Sequence, residues 1–140
     1  MESTTIKITR EFSAPPETVF DAWLDPDMIP QWLFATPEHE VHHVASAPIV
    51  GGAFSIVERA DHDKEIDHFG HYHVIDRPSR LVFTLEVPAH FHGETCVTIE
   101  VAGRADGSTM TFTQDGAPPE VEADWQKMFD QLAKLLAPTS

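Results

Sequence analysis

The sequence predicts an α+β domain in which a curved antiparallel sheet grips one long helix. Three observations carry this. In the stretch Pro119 to Pro138, the residues Trp125, Met128, Phe129, Leu132, Leu135 and Leu136 recur three and four apart, as one stripe of a helix. From about residue 40 the text becomes short β-rich segments separated by turn signals. The last of these segments alternate between oily and polar residues, so the sheet has one dry face that needs a lid.

The elements follow in order. Residues 4–12 alternate Ile6, Ile8 and Phe12 with polar neighbours and read as the first strand. Pro15-Pro16-Glu17 opens a helix with Phe20, Trp23 and Leu24 inward. Asp25-Pro26 ends it and is suited to cap a second short helix built on Met28, Ile29, Trp32 and Leu33. Strands are expected at 40–47, 53–60, 66–76, 80–87, 95–103 and 109–115, seven with the first. Turns such as Gly51-Gly52, Pro78-Ser79 and Ala105-Asp106-Gly107-Ser108 are short, which implies antiparallel neighbours in a meander. Leu81, Phe83 and Leu85 share a face, as do Val97, Ile99 and Val101, and Met110 and Phe112; threonines and glutamates stand opposite. The C-terminal helix is long enough to cover that oily face. Pro118-Pro119 starts it, Glu120 and Glu122 suit its first turn, and Pro138 stops it.

Composition excludes several classes. The 140 residues suit a single domain, 1–140, and 41% apolar residues exclude a disordered chain. A formal charge of -14 argues against nucleic acid and anionic membrane surfaces, whose phosphates are bound by Lys and Arg. There is no apolar run near 18 residues and no signal-peptide pattern. Cys96 is the lone cysteine and cannot form an internal disulfide. A reducing, cytoplasmic setting is the expectation.

The stretch from Arg10-Glu11-Phe12-Ser13-Ala14-Pro15-Pro16-Glu17 through Trp23-Leu24-Asp25-Pro26 resembles the opening of the START-like (SRPBCC, helix-grip) superfamily. More narrowly, it is similar to the bacterial relatives of the heat-shock-protein-90 ATPase activator. Trp32, Gly51-Gly52-Ala53-Phe54, Gly70-His71-Tyr72, Arg77 to Thr84, and Trp125 with Leu132 agree in order and spacing. The resemblance implies a helix-grip fold whose seven-stranded sheet and long helix enclose an apolar cavity. It implies no particular reaction, because one fold hosts many functions.

On that basis the inward residues become candidate cavity lining. They are Phe54, Ile56, Phe83, Leu85, Val97, Ile99, Met110 and Phe112 from the sheet, and Trp125, Met128, Phe129 and Leu132 from the helix. Trp23 and Trp32 stand at one end. Such a lining suits an apolar or aromatic small molecule; the plain alternative is that these side chains fill the core among themselves. Parity also sends Arg10 and Gln114 inward, where they would orient a polar or anionic ligand head, or else reach water at the sheet end.

Nine histidines are the compositional oddity. His71 and His73 lie two apart on one strand, so they share a face. Aligning on Gly70 and Ile75 places both on the inner face as further lining residues; Tyr72 and Val74 fit that face equally well. With His90 or His92 they would suggest a zinc site, but no HExxH or cysteine–histidine spacing is present. No metal and no cofactor is expected.

There is no GxSxG nucleophile motif, and Cys96 sits mid-strand as an unreactive thiol. The expected role is non-catalytic binding of a small apolar or aromatic molecule. A cyclase- or hydrolase-like enzyme is the alternative, and it requires an inward histidine paired to Asp, Glu or Tyr. The family name adds a chaperone-associated module as a third reading. Against that reading, the chain lacks the additional domain of the eukaryotic activators.

Overall fold

A computed structural model of the protein describes residues 5–33, 40–59, 65–88 and 93–136. In chain order its elements are β1 (Thr5–Phe12), α1 (Pro16–Ala22), α2 (Ile29–Trp32), β2 (Glu40–Ser46), β3 (Ala53–Arg59), β4 (Glu65–Asp76), β5 (Arg80–Leu85), β6 (Thr95–Arg104), β7 (Gly107–Asp115) and α3 (Val121–Leu136). Each strand begins and ends within two residues of its expected limits. The strands form one seven-stranded sheet in the order β1-β7-β6-β5-β4-β3-β2. All neighbours are antiparallel, with β1 laid against β7 so that Thr5 faces Asp115 and Phe12 faces Ser108. This is the helix-grip fold that the sequence predicts.

The alternation that marks the strands also sets their burial. Ile6, Ile8 and Phe12 of β1, Val97, Ile99 and Val101 of β6, and Met110 and Phe112 of β7 are buried, whereas Lys7, Thr9 and Glu100 are exposed. Helix α1 lies over β6 and β7, and α3 lies beside α2 and β1. Trp125, Met128, Phe129 and Leu132 are buried along α3, and Leu135 and Leu136 are partly buried. Burying each of these large side chains is worth about 2 kcal/mol, so the apolar stripe, more than intrinsic propensity, holds α3 in place.

The sheet edge grips α3 with polar contacts as well. Arg10 of β1 donates to the Gln126 side-chain oxygen at 3.0 Å and to the Asp130 carboxylate at 2.8 Å. Arg10 is therefore a clamp on the helix and not a ligand-head anchor. The α1–α2 connection also departs from expectation. Met28 is the N-cap of α2 and has no side-chain cap bond. The Asp25 carboxylate instead accepts the Asp27 N–H at 2.8 Å, and its carbonyl accepts the N–H groups of Met28 and Ile29. Trp32 then fastens α2 to α1 through Nε1, which donates to the Ala22 carbonyl at 3.0 Å.

Arg77, in the β4–β5 turn, donates from Nε and Nη2 to the two carboxylate oxygens of Asp21 on α1, both at 2.8 Å. These hydrogen bonds hold the Asp21 carboxyl below its ordinary value; partial burial opposes them and the guanidinium charge adds to them. Both side chains are well exposed, so water screens the pair and its contribution is small. A depressed carboxyl stabilises the fold above its unfolded value of about 4, and that stability disappears as pH falls through the lowered folded value. Thermal melts of Arg77→Ala are expected to lie below wild type at neutral pH and to converge with it in acid. Parallel curves down to about pH 2 would show that the pair adds no acid-linked stability.

Among the described residues no helix is long and apolar enough to cross a membrane.

Candidate functional site

The inner face of the sheet is chemically two halves. Over β1, β7, β6 and β5 it is apolar and densely aromatic. Trp23 stands at the centre, with ring centroids 4.8 Å from Trp32, 6.0 Å from Trp125 and 6.1 Å from both Phe83 and Phe129. Phe112 lies 4.5 Å from Trp125. The band continues through Phe83 to Phe54 at 5.4 Å, and from Phe54 to Tyr72 at 5.2 Å. The expected apolar residues Trp23, Trp32, Phe54, Ile56, Phe83, Leu85, Val97, Ile99, Met110, Phe112, Trp125, Met128, Phe129 and Leu132 are all buried in this interior. The rings around Trp23 fill space against one another, and edge-to-face contacts such as Trp23–Trp32 add to the burial.

Two polar features sit inside this half. The first is a chain of hydrogen bonds across four elements. Trp125 Nε1 donates to Gln114 Oε1 at 2.8 Å, Gln114 Nε2 donates to Thr95 Oγ1 at 3.0 Å, and Thr95 Oγ1 donates to the Leu85 carbonyl at 2.8 Å. Gln114 points inward as parity predicts, but both ends of its amide are engaged in tying α3 to β6 and β5. The second is Trp23 Nε1, which is buried and has no hydrogen-bond partner among the described residues.

Over β3 and β4 the inner face carries two buried polar side chains among apolar neighbours. His68 is 3% exposed and Glu58 7% exposed. They sit diagonally across the β3–β4 ladder, where His68 faces Ile56 and Glu58 faces Ile66. His68 Nδ1 lies 3.1 Å from the Ile56 carbonyl, and Nε2 lies 3.5 Å from Glu58 Oε1. Four residues further along β4, past Gly70, the Tyr72 hydroxyl meets Ser46 Oγ at 3.1 Å. Burial raises the Tyr72 phenol above its ordinary value, and the bond to Ser46 offsets part of that rise.

Tyr72 is the sole tyrosine, so phenolate absorbance reports it alone. Its midpoint is expected above 10 in the folded protein and near 10 in denaturant. The sign follows: above pH 10 the unfolded chain releases this proton first, so stability falls as pH rises. Coincident folded and unfolded midpoints would contradict the buried phenol.

His71 and His73 require correction as lining residues, because both are exposed on the outer face. A bulge in β4 is the reason. The register with β5 shifts between Tyr72 and Val74, so Tyr72 faces Phe83 while Ile75 faces Leu81. One extra residue lets both Tyr72 and Ile75 turn inward, so no single parity fits the strand. Among the described residues the inward histidine is His68, in phase with Ile66 and Tyr72, and that phase is the signal that finds it. Among the described residues no group of three His, Cys, Asp or Glu side chains could hold a metal. His39, His62, His90 and His92 lie outside the described residues. Cys96 faces outward, and partial burial together with the Asp115 and Glu94 charges raises its thiol, which lowers its reactivity.

Comparison with known proteins agrees with this architecture. The family described as activator of Hsp90 ATPase homolog 1-like protein matches residues 13–137. A crystal structure of a Chromobacterium violaceum protein is similar, with a TM-score of 0.87 at 28% identity, covering 96% of this chain and 99% of that one. A Rhodobacter sphaeroides protein gives 0.84 at 24% identity, covering 96% of this chain and 93% of that one. A protein of Aeromonas hydrophila described as like the same activator gives 0.81 at 24% identity, covering 94% and 90%. The latter two show the fold alone. No curated protein matches the sequence significantly.

Proposed function

The chain belongs to the activator of Hsp90 ATPase homologue 1-like family, and on that footing we propose that it binds an apolar or aromatic small molecule between the inner face of its sheet and α3. One observation carries the reading. The aromatic band leads, through Phe83, Phe54 and Tyr72, to the buried polar side chains Glu58 on β3 and His68 on β4. An interior that served packing alone would have apolar residues at Glu58 and His68, since a buried carboxylate costs several kcal/mol to desolvate. Apolar walls with a few convergent polar groups are the usual make-up of a small-molecule site.

The test is native mass spectrometry of protein purified from its own cells, followed by extraction and return of any released compound to fresh protein. A bound compound recovered unchanged supports binding. Persistent apo protein, together with no thermal stabilisation by any aromatic probe, would reject it; saturation at a hundredfold excess over Kd should add about 2.7 kcal/mol.

A second reading is favoured by the pairing of an inward histidine with a carboxylate, the arrangement that acid–base catalysis requires. It falls on His68 with Glu58, not on His71 or His73. Conversion of the returned compound by wild type, but not by His68→Asn, would favour this reading over simple binding.

A further inference from the structure

We propose that the Trp23 indole N–H is the recognition point of the interior. It selects apolar or aromatic ligands that carry a neutral hydrogen-bond acceptor, such as a ketone or ether oxygen, over plain hydrocarbons. The inference rests on the small-molecule reading and names the ligand class within it.

Three tryptophans are present, and all are buried. Two of them direct the indole N–H at the protein, Trp32 to the Ala22 carbonyl and Trp125 to the Gln114 amide oxygen. Trp23 is 2% exposed, and its Nε1 has no hydrogen-bond partner among the described residues. Leaving a buried donor unmet is costly, and buried polar atoms are seldom left so. Packing does not require the atom, since a phenyl ring at this position would keep aromatic contacts without it. The donor is also fixed in place. Trp23 is the C-cap of α1, where its backbone N–H meets the Phe20 carbonyl at 3.1 Å, and Trp32 fastens the preceding residue, Ala22. A held donor that lacks a protein acceptor is suited to take one from a ligand, because little ordering is lost when the bond forms.

The surroundings set the rest of the ligand. Rings from four elements stand about Trp23: Trp32 of α2, Phe83 of β5, Phe112 of β7, and Trp125 and Phe129 of α3. An ionised group among these rings would lose its hydration, and a single N–H does not offset that loss. An indole nitrogen donates and does not accept, so a hydrocarbon leaves it as unmet as before. A neutral oxygen on an aromatic frame satisfies both the donor and the rings.

2-Acetonaphthone and 2-isopropenylnaphthalene share one outline and differ by an oxygen in place of a methylene group. Both are titrated into the full-length protein at neutral pH, with the three indole N–H signals followed by NMR. Wild type is expected to bind the ketone about tenfold more tightly than the alkene. Relative to the alkene, the ketone should move the Trp23 indole proton downfield. A benzothienyl ring in place of the Trp23 indole keeps the shape and removes the N–H. That protein should melt at or above the wild-type temperature, having lost an unmet donor, and should bind the two probes equally. Three results would overturn the inference while leaving the small-molecule reading in place: equal binding of the probes by wild type, a ketone preference that survives the benzothienyl replacement, or a downfield move confined to Trp32 or Trp125. A benzothienyl protein that melts below wild type would overturn it too, since a buried water then already meets the N–H. If neither probe binds, the small-molecule reading itself fails and the inference falls with it.

Discussion

Trp125→Ala is expected to cost about 5 kcal/mol, which is comparable to the whole stability of many domains. Removing a buried indole costs about 3–5 kcal/mol through lost transfer energy and the cavity left behind. Here the indole also supplies the N–H that satisfies Gln114 Oε1, so its loss leaves a buried amide oxygen short of a donor. At roughly 3 °C per kcal/mol the melting temperature should fall by about 15 °C. The hydrogen-bond share can be isolated with a double-mutant cycle. Gln114→Leu alone should cost about 2 kcal/mol, because it strands the Trp125 N–H and takes the amide from Thr95. Combined with Trp125→Phe, which needs no acceptor, the total should be smaller than the sum by about 1 kcal/mol. Strict additivity in urea melts would mean that the chain of bonds contributes no coupling. Trp125→Ala is for the same reason a poor probe of ligand binding, since it removes the anchor of α3 along with any contact.

Gly70→Ala is expected to cost about 3 kcal/mol, although the change adds one methyl group. The β4–β5 ladder is interrupted at this point. Phe69 pairs with Glu86 and Tyr72 with Phe83, and between them the His71 N–H is taken by Thr84 Oγ1 at 3.0 Å. The two strands approach so closely that a Cβ on residue 70 would collide with the Thr84 backbone carbonyl. That atom belongs to a central strand and has no rotamer with which to yield, so the ladder must part. Gly93→Ala is the control. It has a φ of +95° and nothing within 4 Å of the added atom, so it meets only the backbone penalty of about 1–2 kcal/mol. Equal urea midpoints for the two variants would show that the close approach at Gly70 is not a constraint.

The fold was legible because hydrophobic period is a local property and here it is clean. The 2-residue alternation of Val97, Ile99 and Val101 and the 3.6-residue stripe from Trp125 to Leu132 each name their own buried face. The short turns then leave little choice of topology. The interior was legible as a set of apolar residues but not as an arrangement. A bulge leaves no compositional mark in β4, and it reversed the side on which His71 and His73 lie. The pairing of His68 with Glu58 joins two strands through register, which neither strand specifies alone. Gln114 was correctly sent inward, yet its partners come from α3 and β6, and only tertiary packing brings those groups to it.

The lodging of β1 against β7 has a consequence for how the chain is made. Each residue of β1 pairs with one roughly a hundred positions later, whereas every other strand pairs with its neighbour in sequence. At roughly 5–20 residues per second a ribosome needs on the order of 5–20 s to deliver that partner. Throughout that interval Ile6, Ile8 and Phe12 lack the strand they pair with in the finished sheet. The sheet gains its first strand last, so the nascent chain presents an open, sticky edge to any holding factor until β7 has emerged.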